Sequence, residues 1–273
     1  MRVLILSCNT GGGHNSTAMA LKESFQKISV PCEIMDVLSF GNPLYEQIVT
    51  KGHVFLYRNM PRLFGLGYRF EERRHPEGHK SIVYRLQTGY ADRLYRYITE
   101  NEFDTVVCVH VFAAAALTEI RKKYAPALRM YFVATDYTCS PGVSDLTMDA
   151  YFIPHAKLIP EFLDNGLPEE RLISTGIPVR QVFCEKAEQR TARHRLGLPE
   201  TGRLALLMCG SMGAGPVRRI VARLTAKLPD GASLVVICGS NRALQTELSR
   251  TIRSTRVRIL GYSEQISLYM DAA

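Results

Sequence analysis

The sequence contains no CxxC pair, no low-complexity segment and no apolar run long enough to span a bilayer. The first absence matters because the seven cysteines, an odd number, are scattered. Without paired spacing they read as free thiols and not as a disulfide set or zinc site, and Cys8, Cys108, Cys209 and Cys238 sit in or at the ends of apolar runs. The longest apolar stretch, Val106 to Leu117, is interrupted by His110 and is too short for a transmembrane helix. At the start, "MRVLILSCN" offers only the run Val3 to Leu6, short of the apolar core of a signal peptide, so a cytoplasmic protein is expected. Acidic residues are in deficit: 26 Asp and Glu face 34 Lys and Arg, for a net charge of +8. That excess favours an anionic partner, whether nucleic acid, a membrane surface or a phosphorylated substrate. No cluster of His, Cys, Asp or Glu has metal-ligand spacing, and no nucleic-acid motif accompanies the charge.

What is present is an alternation. The chain has 273 residues, 46% of them apolar, enough for one large or two ordinary domains with a real core. Val3 to Leu6 is a continuous apolar strand of the kind buried on both faces, after which Ala18, Leu21, Phe25 and Ile28 recur at helical spacing. "CEIMDVL", "TVVCVHV", "RMYFVAT" and "AYFIPH" read as further strands, with helices such as "AAAALTEIRKKY" and "AKLIPEFLDNG" between them. The charged stretch "EKAEQRTARHRLGLPETGR" shows little apolar periodicity, and the alternation then restarts with "LALLMCG", "VRRIVARLTAKL", "SLVVICG", "ALQTELSRTIR" and "VRILGY". This is an α/β chain of two Rossmann-like domains. The expected division is a first domain over 1–183, a linker over 184–202 and a second, incomplete domain over 203–273, with ligands at the carboxyl ends of the strands in a cleft between them.

Two glycine loops stand where a strand becomes a helix: "TGGGHN" at 10–15 and "CGSMGAG" at 209–215. A helix N-terminus presents unpaired N–H groups and a positive dipole end, and glycines let the backbone approach an anion or a sugar. One reading of the first loop is a dinucleotide site. Gly11 and Gly13 begin a G-x-G, and Asp36 lies at the end of the second strand, where a ribose-binding acid would sit. Against it, Ser16 stands in place of the third glycine and a histidine follows the loop. His110, Asp136 and His155 also fall at the carboxyl ends of strands, as structural residues or as part of the cleft lining.

"TGGGH", "TGIPVR" at 175–180, "CGSMGAG", "CGSN" at 238–241 and "LGYSEQISLYM" at 260–270 occur in the same order in GT-B glycosyltransferases. The chain resembles the monogalactosyldiacylglycerol synthase and processive diacylglycerol glucosyltransferase group. It is similar, more distantly, to the peptidoglycan GlcNAc transferase. The resemblance implies transfer of a hexose from a UDP-sugar to diacylglycerol or a similar lipid, with inversion, at the inner face of the cell membrane. Alternatives are GlcNAc transfer to a polyprenyl-linked acceptor and a binding-only, inactive fragment. It makes His14 the base on the acceptor hydroxyl, beside an acceptor-side loop of Gly11, Gly12, Gly13 and Asn15. An imidazole can take a proton near neutral pH. Arg180 would steady the donor diphosphate, as a guanidinium fork suits phosphate oxygens. Gly210, Ser211, Met212 and Gly213 would give it backbone N–H groups, while Asn241 and the backbone around Tyr262 would complete the donor site. The donor is a substrate, and no cofactor, metal ion or nucleic acid is expected.

Between Lys51 and Arg96, basic residues such as Arg58, Arg62, Arg69 and Arg73 interleave with Phe55, Tyr57, Phe64 and Tyr68. Such a stretch suits an anionic bilayer or a solvated helical face. The chain ends at "LYMDAA" inside a helical pattern, and the resemblance implies further donor-binding loops beyond that point. The expectation is therefore of a truncated piece that transfers no sugar. Its second domain should be marginal and expose the apolar flank of "VRILGY" and of the helix carrying Leu268 and Met270.

Overall fold

Val3, Leu4, Ile5 and Leu6 are completely shielded from solvent, as a strand with helices on both sides must be. The structure, a computed structural model, describes residues 1–9, 11–41 and 89–273. The described chain divides into two compact units, one running to Arg180 and the other from Gln181 to Ala273. The basic aromatic stretch before residue 89 lies outside the described residues.

In the first unit the order is β1 Val3–Ser7, α1 Gly12–Lys27, β2 Cys32–Asp36, α2 Ala91–Glu100, β3 Thr105–Cys108, α3 Val111–Tyr124, β4 Arg129–Val133, β5 Ala150–Ile153, α4 Ile159–Asp164 and β6 Leu172–Ser174. The six strands form one sheet in the order β2-β1-β3-β4-β5-β6, parallel throughout. Alternation along β1 divides the core. Leu4 and Leu6 join Leu94, Ile98, Leu117 and Ile120 of α2 and α3 on one face, while Val3 and Ile5 meet Ala18, Leu21 and Phe25 of α1 on the other. The alanine run in α3 is fully buried, combining the best helix former with close approach to the sheet.

The second unit contains α5 Gln189–Arg195, β7 Leu204–Met208, α6 Val217–Ala226, β8 Ser233–Ile237, α7 Arg242–Thr251, β9 Val257–Leu260 and α8 Ile266–Ala272. Its sheet is β7-β8-β9, parallel. Val235 and Ile237 of β8 pack with α5 and α8, and Leu234 and Val236 pack with α6 and α7.

The stretch read as a linker therefore folds as part of this unit. Glu188 caps α5 by accepting from the Thr191 N–H at 2.9 Å. What α5 buries is Ala192 and Arg193, so no hydrophobic stripe marks it in the sequence. The expected exposed flank holds only in part: β9 pairs only with β8 among the described strands and keeps Val257, Ile259 and Leu260 half-buried, but the helix after it is covered by α5. Leu268, Tyr269 and Ala272 are buried in one cluster with Ala192 and Leu196, and only Met270 is turned outward. Arg193, 4% exposed, donates to the carbonyls of Ala272 at 2.8 Å, Gly202 at 2.9 Å and Glu200 at 3.2 Å. Arg193→Ala would strand those acceptors, so it should destabilise the second unit by about 2 kcal/mol. Chemical denaturation followed by circular dichroism measures this, and an unchanged midpoint would refute it.

Candidate active site

In the first sheet β1 leads to β2 on one side while β3 and β4 lie on the other. The carboxyl ends of β1, β3 and β4 thus adjoin a topological switch point, where open α/β sheets bind ligands. The loop after β1 brings in the N-terminus of α1. Its cap, Gly11, is extended and supplies no side-chain hydrogen bond, and no acidic residue lies in the first turn. The positive end of the helix is thus not offset by an acid of its own first turn. The dinucleotide reading loses its acid, because the Asp36 carboxylate accepts from the Leu38 N–H at 3.0 Å and caps the turn after β2.

His14 stands in that first turn. Its Nδ1 is 2.8 Å from the carbonyl oxygen of Val109, just past β3, and 3.0 Å from Thr135 Oγ1, just past β4. A carbonyl only accepts, so Nδ1 carries the proton and Nε2 holds the lone pair. Nε2 has no hydrogen-bond partner among the described residues. The ring also meets His110 edge-on, with centroids 4.5 Å apart. His110, buried, caps α3 by accepting from the Phe112 N–H at 3.1 Å. Beside His14, Asn15 bridges the loop: its Oδ1 accepts from Ser7 Oγ at 2.5 Å and its Nδ2 donates to Asn9 Oδ1 at 2.7 Å. Gly11, Gly12, Gly13, His14 and Asn15 are thus brought together at one sheet end. The other strand-end residues are not part of this arrangement. Asp136 is exposed and accepts from Ser140 at 3.1 Å, and His155 accepts from the Lys157 N–H at 3.0 Å to cap a short turn.

Arg180 donates from Nε to Glu23 Oε1 of α1 at 2.9 Å, with 39% of its side chain exposed. Its two Nη groups have no partner among the described residues. The ion pair to Glu23 orients the guanidinium on the helix that begins at the histidine loop. Sequence reasoning had no means of finding Glu23, a helical glutamate with no motif around it.

The second glycine loop is locked against the loop after β8. Ser211 O accepts from the Ser240 N–H at 2.7 Å, and Asn241 Nδ2 donates to Gly213 O at 3.0 Å while its Oδ1 caps α7 through the Leu244 N–H at 3.1 Å. Asn241 is therefore a brace of the loop. Gly210 and Gly213 both have positive φ, a backbone that glycine adopts freely. Tyr262 follows β9 and is 71% exposed, so its ring is a surface group and not core.

None of the seven cysteines is in a disulfide. Burial pushes the Cys108 and Cys238 thiols up, and burial with Glu161 nearby pushes Cys139 up to about 12. Such thiols stay protonated and unreactive.

The sequence profile described as Monogalactosyldiacylglycerol (MGDG) synthase matches residues 14–179. The chain belongs to this family. The MGDG synthase match begins at His14 and ends beside Arg180, so it includes His14 and the Val109 and Thr135 that hold it. The processive diacylglycerol beta-glucosyltransferase of Bacillus thuringiensis is 24% identical, over 97% of this chain and 68% of its own length. Among solved structures, Anabaena HepE in complex with UDP-glucose superposes with a TM-score of 0.56 at 13% identity, covering 100% of this chain and 72% of that one. MurG of Acinetobacter baumannii superposes at 0.52 and 11%, covering 98% and 69%. At these identities the likeness speaks for the fold, which is GT-B. This member of the MGDG synthase family is a glycosyltransferase.

Proposed function

We propose that the protein moves a hexose from a UDP-sugar to the hydroxyl of diacylglycerol or a similar lipid, with inversion. The observation that carries this reading is the hold on His14. Its Nδ1–H is committed to the Val109 carbonyl and Thr135, which leaves Nε2 as the basic atom at a helix N-terminus. In the single displacement, the acceptor O–H gives its proton to Nε2 as the oxygen attacks the anomeric carbon. The bond from that carbon to the UDP oxygen breaks, and the electron pair leaves with the diphosphate. Arg180 is oriented by Glu23 with both Nη groups to offer to a phosphate, and the second unit offers the glycine loop at 210–212, the Gly213 N–H being given to Gly210 O at 3.2 Å. No step calls on a metal ion or cofactor.

The names of the relatives support a diacylglycerol acceptor and a glucose donor, and a lipid acceptor implies peripheral work at the cytoplasmic face of a membrane. The test is to offer protein expressed from its complete open reading frame diacylglycerol with UDP-glucose, UDP-galactose or UDP-GlcNAc, and to weigh the lipid product. A diacylglycerol heavier by one or more hexoses is expected. Transfer confined to a polyprenyl-linked acceptor, or none with any donor, would overturn the reading.

A further inference from the structure

The charge of the chain is unevenly placed. From Gln181 to Ala273 there are fourteen Lys and Arg against seven Asp and Glu, whereas the described residues of the first unit carry twelve against fifteen. Much of the excess lies on two adjacent helices. Val217 and Val221 of α6, and Leu244 and Leu248 of α7, are buried against one face of the sheet. A step of two residues turns an α-helix by about 200°. Arg219, Arg223 and Arg250 therefore stand opposite the buried positions, and Arg242 lies likewise two residues before Leu244. All four are exposed, and none of their guanidinium groups has a partner among the described residues. Arg218 ties the two helices together through Glu247 at 2.5 Å.

Helix stability does not account for the whole face: Arg223 and Arg250 lie in the last turns of α6 and α7, where the macrodipole favours a cation, but the other arginines do not. Arg218 and Arg219 lie in the first turn of α6 and Arg242 opens α7, where the macrodipole disfavours a cation. Nor is it a mixed, salt-bridged surface, since Glu247 is the sole acid within either helix. The remaining outward positions are small or polar, such as Ala222, Ala226 and Thr246, without the aromatic rings on which unpaired bases stack.

We infer that the outward face of α6 and α7 is an electrostatic docking surface for a bilayer bearing anionic lipid headgroups. Arginines spread over two side-by-side helices, with short side chains between them, present charge to a plane without requiring insertion. A membrane surface potential attracts such groups within a Debye length. The inference rests on the lipid acceptor proposed above, and places the contact on two helices of the second unit.

The test is co-sedimentation of the full chain with phosphatidylcholine vesicles, with and without phosphatidylglycerol. The unmodified protein should prefer the mixed vesicles, and the preference should fade with added salt. Arg223→Gln with Arg250→Gln should weaken that binding by about twenty-five-fold, roughly fivefold per arginine, with circular dichroism unchanged because both side chains are exposed. Lys27→Gln with Lys157→Gln, on exposed positions of the first unit, makes the same charge change and should have little effect. Equal weakening by both pairs, or none by the first, would overturn the inference while leaving a membrane-bound enzyme intact. Vesicle binding with no preference for phosphatidylglycerol would remove the anionic membrane itself. Tighter binding to double-stranded DNA, lost in the Arg223 and Arg250 pair, would make the face a nucleic-acid surface and would also overturn it.

Discussion

His14→Ala is expected to lower turnover by about a hundredfold or more, the loss typical of a missing general base, while UDP binding stays nearly intact. The separation follows from where the side chain is held. His14 touches Val109, Thr135 and His110, all in the first unit, whereas the glycine loop proposed for the diphosphate is in the second. The backbone of the histidine loop does not depend on the ring either, because Asn15 ties it to Ser7 and Asn9. Turnover with a saturating UDP-sugar and UDP affinity by calorimetry are the two measurements. Added imidazole should restore part of the alanine variant's activity, which it could not do if the ring only packed the loop. Unchanged turnover in His14→Ala would remove the residue from the mechanism.

Much of this fold is legible in the sequence. Strands buried on both faces appear as unbroken apolar runs, so β1, β3, β4, β5 and β8 stood out, and the glycine loops marked where the chain turns into α1 and approaches α6. Elements that lack such a run did not appear. β6 is three residues long, with Ile173 and Ser174 exposed, and pairs only with β5 among the described strands, so there is no apolar run to read. α5 contributes a small residue and a buried arginine to the core, and the sequence there looks like a solvated linker. At the site, His14 was visible through its motif, but its holders were not. One is a main-chain carbonyl at Val109, and the other is Thr135, 121 residues away. Contacts of that kind are set by strand order, here β1 beside β3 beside β4, and local pattern carries no record of it. Arg180 shows the same limit, since its orientation comes from Glu23 at a separation of 157 residues.

Gly213→Val is expected to cost the second unit about 4 kcal/mol, a backbone penalty of 1–3 kcal/mol joined to an overpacking penalty of similar size. Gly213 has φ +57, and a Cβ built on it would lie 2.1 Å from Cys238 O and 2.9 Å from Asn241 Cβ. A backbone carbonyl cannot swing aside as a side chain can, so relief would have to come from moving the loop after β8. The approach is as close in the opposite sense: a Cβ on Gly239, φ +58, would lie 2.3 Å from Ser211 O. The two loops thus fit only as a pair of glycine-bearing turns, joined by the Ser240 N–H to Ser211 O bond and by Asn241 Nδ2 to Gly213 O. A branched side chain at Gly213 should break both and free the N–H groups of 210–213 from their fixed directions. Two readouts follow: a lowered denaturation midpoint for the second unit, and loss of UDP binding under conditions where circular dichroism still reports a folded chain. Asn241→Ala, which removes the brace without a clash, should weaken UDP binding in the same direction at a smaller cost in stability. A Gly213→Val protein with parental stability and UDP affinity would show that this loop is not held as described and does not shape the donor site.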